Sequence, residues 1–202
     1  MPAADRREAI LAAALDAFSE GGYHETSLEK VATRAGISKA LIYEHFGSKR
    51  ELHGALLEMY VGELLSRVGD AIASAQPGEE RMRAGVDAFF AFVEERRGAW
   101  RMLFRNVEGP EIAEGLARLQ SEAAATVAAL MAADAEAEGI AGPDQEIAIE
   151  MFAQQLSGAV QWLANWWDEH RDVSRQHLVA VVMDFAWLGL ERVGSGERWR
   201  PA

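Results

Sequence analysis

No cysteine occurs among the 202 residues, which removes disulfide frameworks and thiolate metal sites and leaves no argument for an oxidising compartment. No stretch reaches the roughly 18 consecutive apolar residues of a membrane span, because charges interrupt every apolar run. A strict two-residue alternation of the kind a half-buried strand needs is also missing. The opening MPAADRREAILAAALDAF has helical periodicity and mixed charge but no small-residue cleavage site, so neither a signal peptide nor an anchor is expected. A cytoplasmic protein with no membrane partner is the expectation. Lysine is scarce: Lys30, Lys39 and Lys49 are the only three, and arginine serves elsewhere, as in the codon usage of a GC-rich genome.

Charge is abundant but unevenly placed. The net charge is −12, which argues against nucleic-acid binding if taken as a whole, since phosphate attraction supplies most non-specific affinity. Residues 1–50, however, hold seven bases and seven acids, so the whole negative excess belongs to the remainder. Within 26–50, Lys30, Arg34, Lys39, Lys49 and Arg50 oppose only Glu29 and Glu44. A molecule polarised in this way approaches DNA with that end first.

Apolar residues recur at three- and four-residue intervals almost throughout, which predicts an all-α fold of about nine helices. Ile10, Ala14 and Phe18 mark the first, opened by Asp5 with Glu8 and closed by Gly21-Gly22. Thr26 with Glu29 reads as a capping box for a short second helix ending near Gly36, buried through Leu28, Val31 and Ala32. Ser38 caps a third, buried through Ile42 and Phe46, and Ser48 with Glu51 opens a long fourth to about Ala75. Beyond Gln-Pro-Gly come a helix striped by Met82, Val86, Phe89, Phe90 and Val93, a break at Gly98, and a segment with Trp100, Phe104 and Val107. Pro110 starts the next, striped by Ile112, Leu116, Leu119, Ala123, Val127 and Leu130. Gly139 to Pro143 reads as a loop, followed by a helix to about His170, a last helix from Ser174 to Val193 and a frayed tail.

The two short helices about Gly36 carry most information. Helices of eight or nine residues joined by three are too short to stand alone and must pack as a helix-turn-helix. Gly36 tolerates the positive φ of the turn, Ala32 lets the helices approach, and Ile42 fills the angle between them. Helix N-termini offer free N–H groups to phosphate, which singles out Thr26, Ser27 and Ser48 beside their capping roles. Lys39, Ala40 and Leu41, after the cap Ser38, occupy the first turn of the third helix, the part that enters the major groove in this motif. There Lys39 can donate to guanine O6 and N7, and Leu41 or Ala40 can touch a thymine methyl. Lys30 and Arg34 read as long-range attraction or solvated surface.

With its flanks the motif becomes more specific. The run TSLEKVATRAGISKALIYEHFGSKRELHGALL is similar to the N-terminal signature of the tetracycline-repressor (TetR) family, and the resemblance extends over residues 5–60. Ala40 departs mildly from the glycine or other small residue that many members carry. The resemblance implies a DNA-binding domain over 1–47 and a ligand-binding and dimerisation bundle over 48–202. It also implies that Tyr43 and Lys49 contact the DNA backbone, and that His45 either touches phosphate or packs at the junction with the fourth helix.

For the second half the resemblance implies a homodimer and a small-molecule effector, with no cofactor. By helical phase, Met59, Phe89, Trp100, Phe104, Phe152, Trp162 and Trp166 either line an apolar cavity or belong to the core. Apolar residues surround much of the last two helices, which implies a second burial surface through Leu156, Val160, Leu163, Val179, Val182, Met183, Ala186 and Leu190. A two-fold pair built there would set recognition helices roughly 34–36 Å apart for a near-palindromic operator. The function expected is therefore a transcriptional regulator, by family default a repressor released by a hydrophobic effector. The rival is a helical small-molecule carrier without DNA function. An enzyme is disfavoured: no Glu-x-x-His pair has a mate, and His24, His45, His53, His170 and His177 lack metal spacing.

Overall fold

A computed structural model describes residues 3–105, 110–137 and 143–194. Among the described residues there are nine α-helices, one π-helical turn and no strand, as the periodicity predicts. Val107, the loop from Gly139 to Gly142 and the tail with Trp199 lie outside the described residues, as do the side chains of Ile112 and Leu119.

The chain forms two compact units, one of Met1–Leu65 with Arg96–Leu116 and the other of Ser66–Glu95 with Ala117–Ala202. Their limits do not coincide with a division at residue 47. The first unit holds α1 (Ala3–Glu25), α2 (Leu28–Ala35), α3 (Lys39–His45) and the start of α4 (Lys49–Ser74). It also holds α6 (Arg97–Trp100) and the π-helical turn Arg101–Arg105, both packed on α1. That packing makes the segment part of the first unit. Ile10, Ala14 and Phe18 of α1 are fully buried, as their spacing implies, together with Trp100 and Leu103. Gly22, at φ 70° and ψ 178°, breaks the helical path of α1 where Gly21-Gly22 was expected to end it.

The second unit contains the end of α4, α5 (Glu79–Glu95), most of α7 (Pro110–Ala137), α8 (Pro143–Trp167) and α9 (Arg175–Gly194). Pro143 takes the first helical position foreseen for it. α9 packs chiefly on α5 and also on α8. Arg175, at the first position of α9, bridges Asp87 (3.1 Å) and Glu94 (3.1 Å) of α5, which fixes the entry of the last helix. Arg81 pairs with Asp134, whose second oxygen accepts the Gly78 N–H at 3.2 Å and so ties the start of α5 to α7. Trp167 is buried, stands edge-on to Phe90 and donates its indole N–H to the Val173 carbonyl at 2.7 Å.

One boundary moves. The break expected at Gly98 falls at Arg96, whose φ −118° and ψ 41° leave the helical region, and Gly98 lies within α6. Glycine marks permissiveness, not a break, and Arg96 is held where it is by a two-oxygen contact from Glu63 (3.0 and 3.2 Å).

Candidate nucleic-acid interface

The helix-turn-helix is built from its caps. Ser27, extended at φ −101° and ψ 152°, accepts the Lys30 N–H at 3.1 Å and opens α2. The capping box read at Thr26 is corrected by one residue: Thr26 is 1% exposed and donates its hydroxyl to the Ala17 carbonyl at 2.9 Å. Its hydroxyl therefore serves the α1–α2 junction and is turned away from solvent. α2 closes on Gly36 in the left-handed region (φ 67°, ψ 31°), with the Ile37 N–H returning to the Ala32 carbonyl at 3.0 Å. A Cβ at Gly36 would meet nothing within 4 Å, so the backbone conformation, not crowding, calls for glycine.

Ser38 caps α3 by accepting the Leu41 N–H at 3.2 Å. α3 has only two turns, and its inward side is Ile42, followed by the buried Phe46 at its end. With those two anchored, Lys39, Ala40, Tyr43 and Glu44 are left exposed, Tyr43 by 51%. Leu41 and His45 are half-buried. Glu44 stands on the exposed side beside the bases, an acid that the charge count registered but did not place. Lys39 lies 3.9 Å from Glu29 on α2, both well exposed, so this ion pair is weak and readily exchanged for another anion. Arg34 is engaged with Glu20 at 2.8 Å, which holds that carboxyl below its usual range.

At the start of α4 half of the expected box is present, and the return bond is shifted by one residue to Gly47. Ser48 accepts the Glu51 N–H at 3.1 Å and Glu51 accepts the Gly47 N–H at 2.9 Å. Lys49, which the resemblance places on phosphate, points instead to the carbonyls of Tyr23 (2.7 Å), Thr26 (2.9 Å) and His24 (3.4 Å). His53 is the residue that pattern reading missed. Only 4% exposed, it packs edge-on against Phe18 (4.9 Å) and Tyr23 (5.0 Å). Burial, with the Lys49 charge adding, lowers its pKa from 6.5 to about 4. Its signal was its place one turn after Lys49, on the side of α4 that also buries Leu52 and Leu56.

Two family profiles match the chain: the bacterial regulatory proteins of the tetR family over residues 10–56, and a tetracyclin repressor-like C-terminal domain over 78–189. The chain belongs to the TetR family. It is thus a DNA-binding transcriptional regulator, and the carrier reading is set aside. The HTH-type transcriptional activator FasR of Mycolicibacterium smegmatis is 33% identical over 195 residues, covering 96% of this chain and 86% of that protein. A TetR-like regulator from Rhodococcus sp. RHA1 has a similar structure, with TM-score 0.76 and 26% identity over 95% of this chain and 98% of that one. The transcriptional regulator FadR of Bacillus subtilis, solved in complex with stearoyl-CoA, shares the fold at TM-score 0.77 and 15% identity, covering 89% and 97% of the two chains.

The TetR bundle departs from the helical phases read in the sequence. Trp100, a candidate lining residue, is fully buried and stacked on the half-buried Phe104 at 4.1 Å, as a core pair. Trp162 is 77% exposed, and Met59 and Trp166 are exposed as well. Trp166 stacks on His170 at 4.0 Å. Phe89 and Phe152 are half-buried.

The expected dimer residues divide between the subunit core and its surface. Leu156, Val179, Val182 and Ala186 are buried inside the subunit, and Val160, Leu163, Met183 and Leu190 are half-buried. The exposed apolar side consists of Ile147, Met151, Trp162 and Trp166 on α8, and Val181, Phe185 and Leu188 on α9. Both helices are apolar around most of their circumference, so periodicity could not say which side meets α5.

Proposed function

We propose that this TetR-family regulator binds a near-palindromic operator as a homodimer, and that a small apolar effector changes its occupancy. Lys39, Ala40 and Leu41 read base edges, Lys39 through guanine; Ser27, Ser38, Tyr43 and His45 hold the phosphate backbone. Residues 1–47 do the reading and 48–202 the sensing and pairing. The observation that carries this reading is the two-turn α3, fastened inward by Ile42 and presenting Lys39, Ala40 and Tyr43 outward.

Pairing is supported by the exposed apolar residues of α8 and α9, among them Trp162, Trp166 and Phe185, since large exposed apolar side chains gathered on two helices mark interaction surfaces. Two such helices from each subunit give an isologous contact. The effector is assigned to the apolar class, and the stearoyl-CoA bound by the B. subtilis FadR supports a fatty acyl thioester. Phe89, Phe104 and Phe152 are the aromatic candidates still open to a ligand. Since FasR is named an activator, the sign of control is proposed to follow operator position relative to the promoter, not the reading head. The protein acts in the cytoplasm, where its DNA is.

Selection of bound fragments from sheared genomic DNA, repeated with palmitoyl-CoA or stearoyl-CoA present, tests the reading. The expected result is one enriched inverted repeat whose occupancy falls or rises with the thioester. Enrichment without symmetry would overturn the dimeric operator, and occupancy indifferent to both thioesters would overturn the effector class.

A further inference from the structure

The inward side of α3 dictates its outward side. At about 3.6 residues per turn, Ala40 and Glu44 stand two residues to either side of the fully buried Ile42, each roughly 160° from it around the helix. Both are exposed. Leu41 and His45 on one flank are half-buried, and Lys39 and Tyr43 form the other, exposed flank. The line that points most directly away from the protein is therefore Ala40 and, one turn on, Glu44. A methyl group at the first lets the backbone approach whatever it faces, and the longer carboxylate at the second reaches into it.

Glu44 stands there against the local electrostatics. It is the last but one of the seven residues of α3, near the negative end of the helix dipole, where an acid is disfavoured. Among the described residues its carboxylate has no ion-pair or hydrogen-bond partner, whereas Glu29 meets Lys39 and Glu20 meets Arg34. On a face turned to a polyanion it is also repelled by every phosphate. A local rule broken without structural gain is what a functional position shows. The major groove offers the chemistry that reverses the sign, because cytosine N4 and adenine N6 are donors and a carboxylate only accepts. Guanine O6 and N7 and thymine O4 are acceptors and repel it. Of the two donors, adenine N6 has the N7 acceptor beside it on the same base edge, which leaves cytosine N4 as the better match.

With α3 as the helix that reads DNA, the reading on which this rests, we propose that Glu44 is a specificity-determining residue: it accepts from the N4 amino group of one cytosine in each half-site and excludes guanine and thymine there. The head then reads with both signs, a cation for guanine at Lys39 and an anion for cytosine at Glu44.

Full-length wild type, Glu44→Ala and Glu44→Gln are each taken through selection from a random-sequence duplex library. Affinities are then measured for the selected duplex and its single-base changes at one salt concentration. The wild-type half-site is expected to hold a cytosine at one position, where Glu44→Ala loses about tenfold in discrimination while the other positions keep theirs. Glu44→Gln, whose amide both accepts and donates, shifts that position toward adenine. Circular dichroism is expected to show wild-type helix content in both variants, since the side chain is exposed. Tighter binding to every duplex with an unaltered preferred sequence would put Glu44 beside phosphate and overturn the proposal. Loss confined to a position that is not cytosine would overturn it too, as would discrimination lost evenly at all positions or no change at all. A wild type that enriches no sequence fails at an earlier step, removing α3 from base reading and Glu44 with it.

Discussion

The α2–α3 pair and the α8–α9 pair solve opposite problems with similar material. In the head, the buried positions are few and used up: Leu28, Val31, Ala32 and Ile42 face inward, and what remains outside is mostly polar or small. In α8 and α9, burial of Ala153, Leu156, Ala164, Val179, Val182 and Ala186 still leaves tryptophan, phenylalanine, leucine and isoleucine uncovered. The head is complete within one chain and offers hydrogen-bonding groups; the terminal pair is complete only when something apolar covers it. A polar surface suits a partner that must be released, whereas an apolar one suits a partner that stays.

Val182 and Phe185, three residues apart on α9, give the strongest way to break this comparison. Val182→Asp buries an unpaired carboxylate and is expected to cost several kcal/mol, roughly 3–5, seen as a lower urea midpoint. Phe185, 63% exposed, should accept aspartate without loss of the subunit fold, while sedimentation at micromolar concentration shows a monomer. The reverse pattern would mean that the two sides have been assigned the wrong way round.

Acid sharpens the contrast from the side of the head. His53 is neutral in the fold down to about pH 4 but takes a proton near 6.5 when unfolded, so its contribution is complete above 6.5 and declines as pH falls toward 4. At 1.36 kcal/mol per pKa unit the loss amounts to at most about 3 kcal/mol. His53→Leu should flatten the urea midpoint between pH 7 and 4.5; an equally steep decline in the variant would assign acid sensitivity elsewhere. Lys39→Ala should cost 1–3 kcal/mol, roughly, on the preferred duplex and relax one base position, against little change on a mismatched duplex. Equal losses on both would remove Lys39 from base reading. Smallest is Gly36→Ala, at about 1 kcal/mol for the left-handed backbone alone, with Gly36→Asn closer to wild type by thermal melting.

The same contrast explains what could be read from residues alone. Short helices with polar caps have few ways to fold, so Ser27 to Phe46 could be placed almost to the residue, and the error at Thr26 was a shift between two adjacent hydroxyls. The cap at Ser48 was legible because the serine and Glu51 are both in the sequence, although the Glu51 carboxylate returns to the Gly47 N–H and not to that of Ser48. Lys49 was not, because its partners are backbone carbonyls more than twenty residues away, and a carbonyl leaves no mark in a sequence. In α8 and α9 the type of element was plain but its orientation was not: Val181, Val182, Phe185 and Ala186 are all apolar, and only the packing on α5 and α8 selects among them.

The confinement of lysine to residues 30–49 gives the protein a built-in footprint. Every side-chain primary amine lies in or beside the reading head, with Lys30 and Lys39 open to solvent and Lys49 turned toward carbonyls. Amine-directed labelling of side chains therefore leaves everything beyond residue 49 unmarked, and on the proposed reading the reactivity of Lys39 relative to Lys30 reports groove occupancy without any engineered tag.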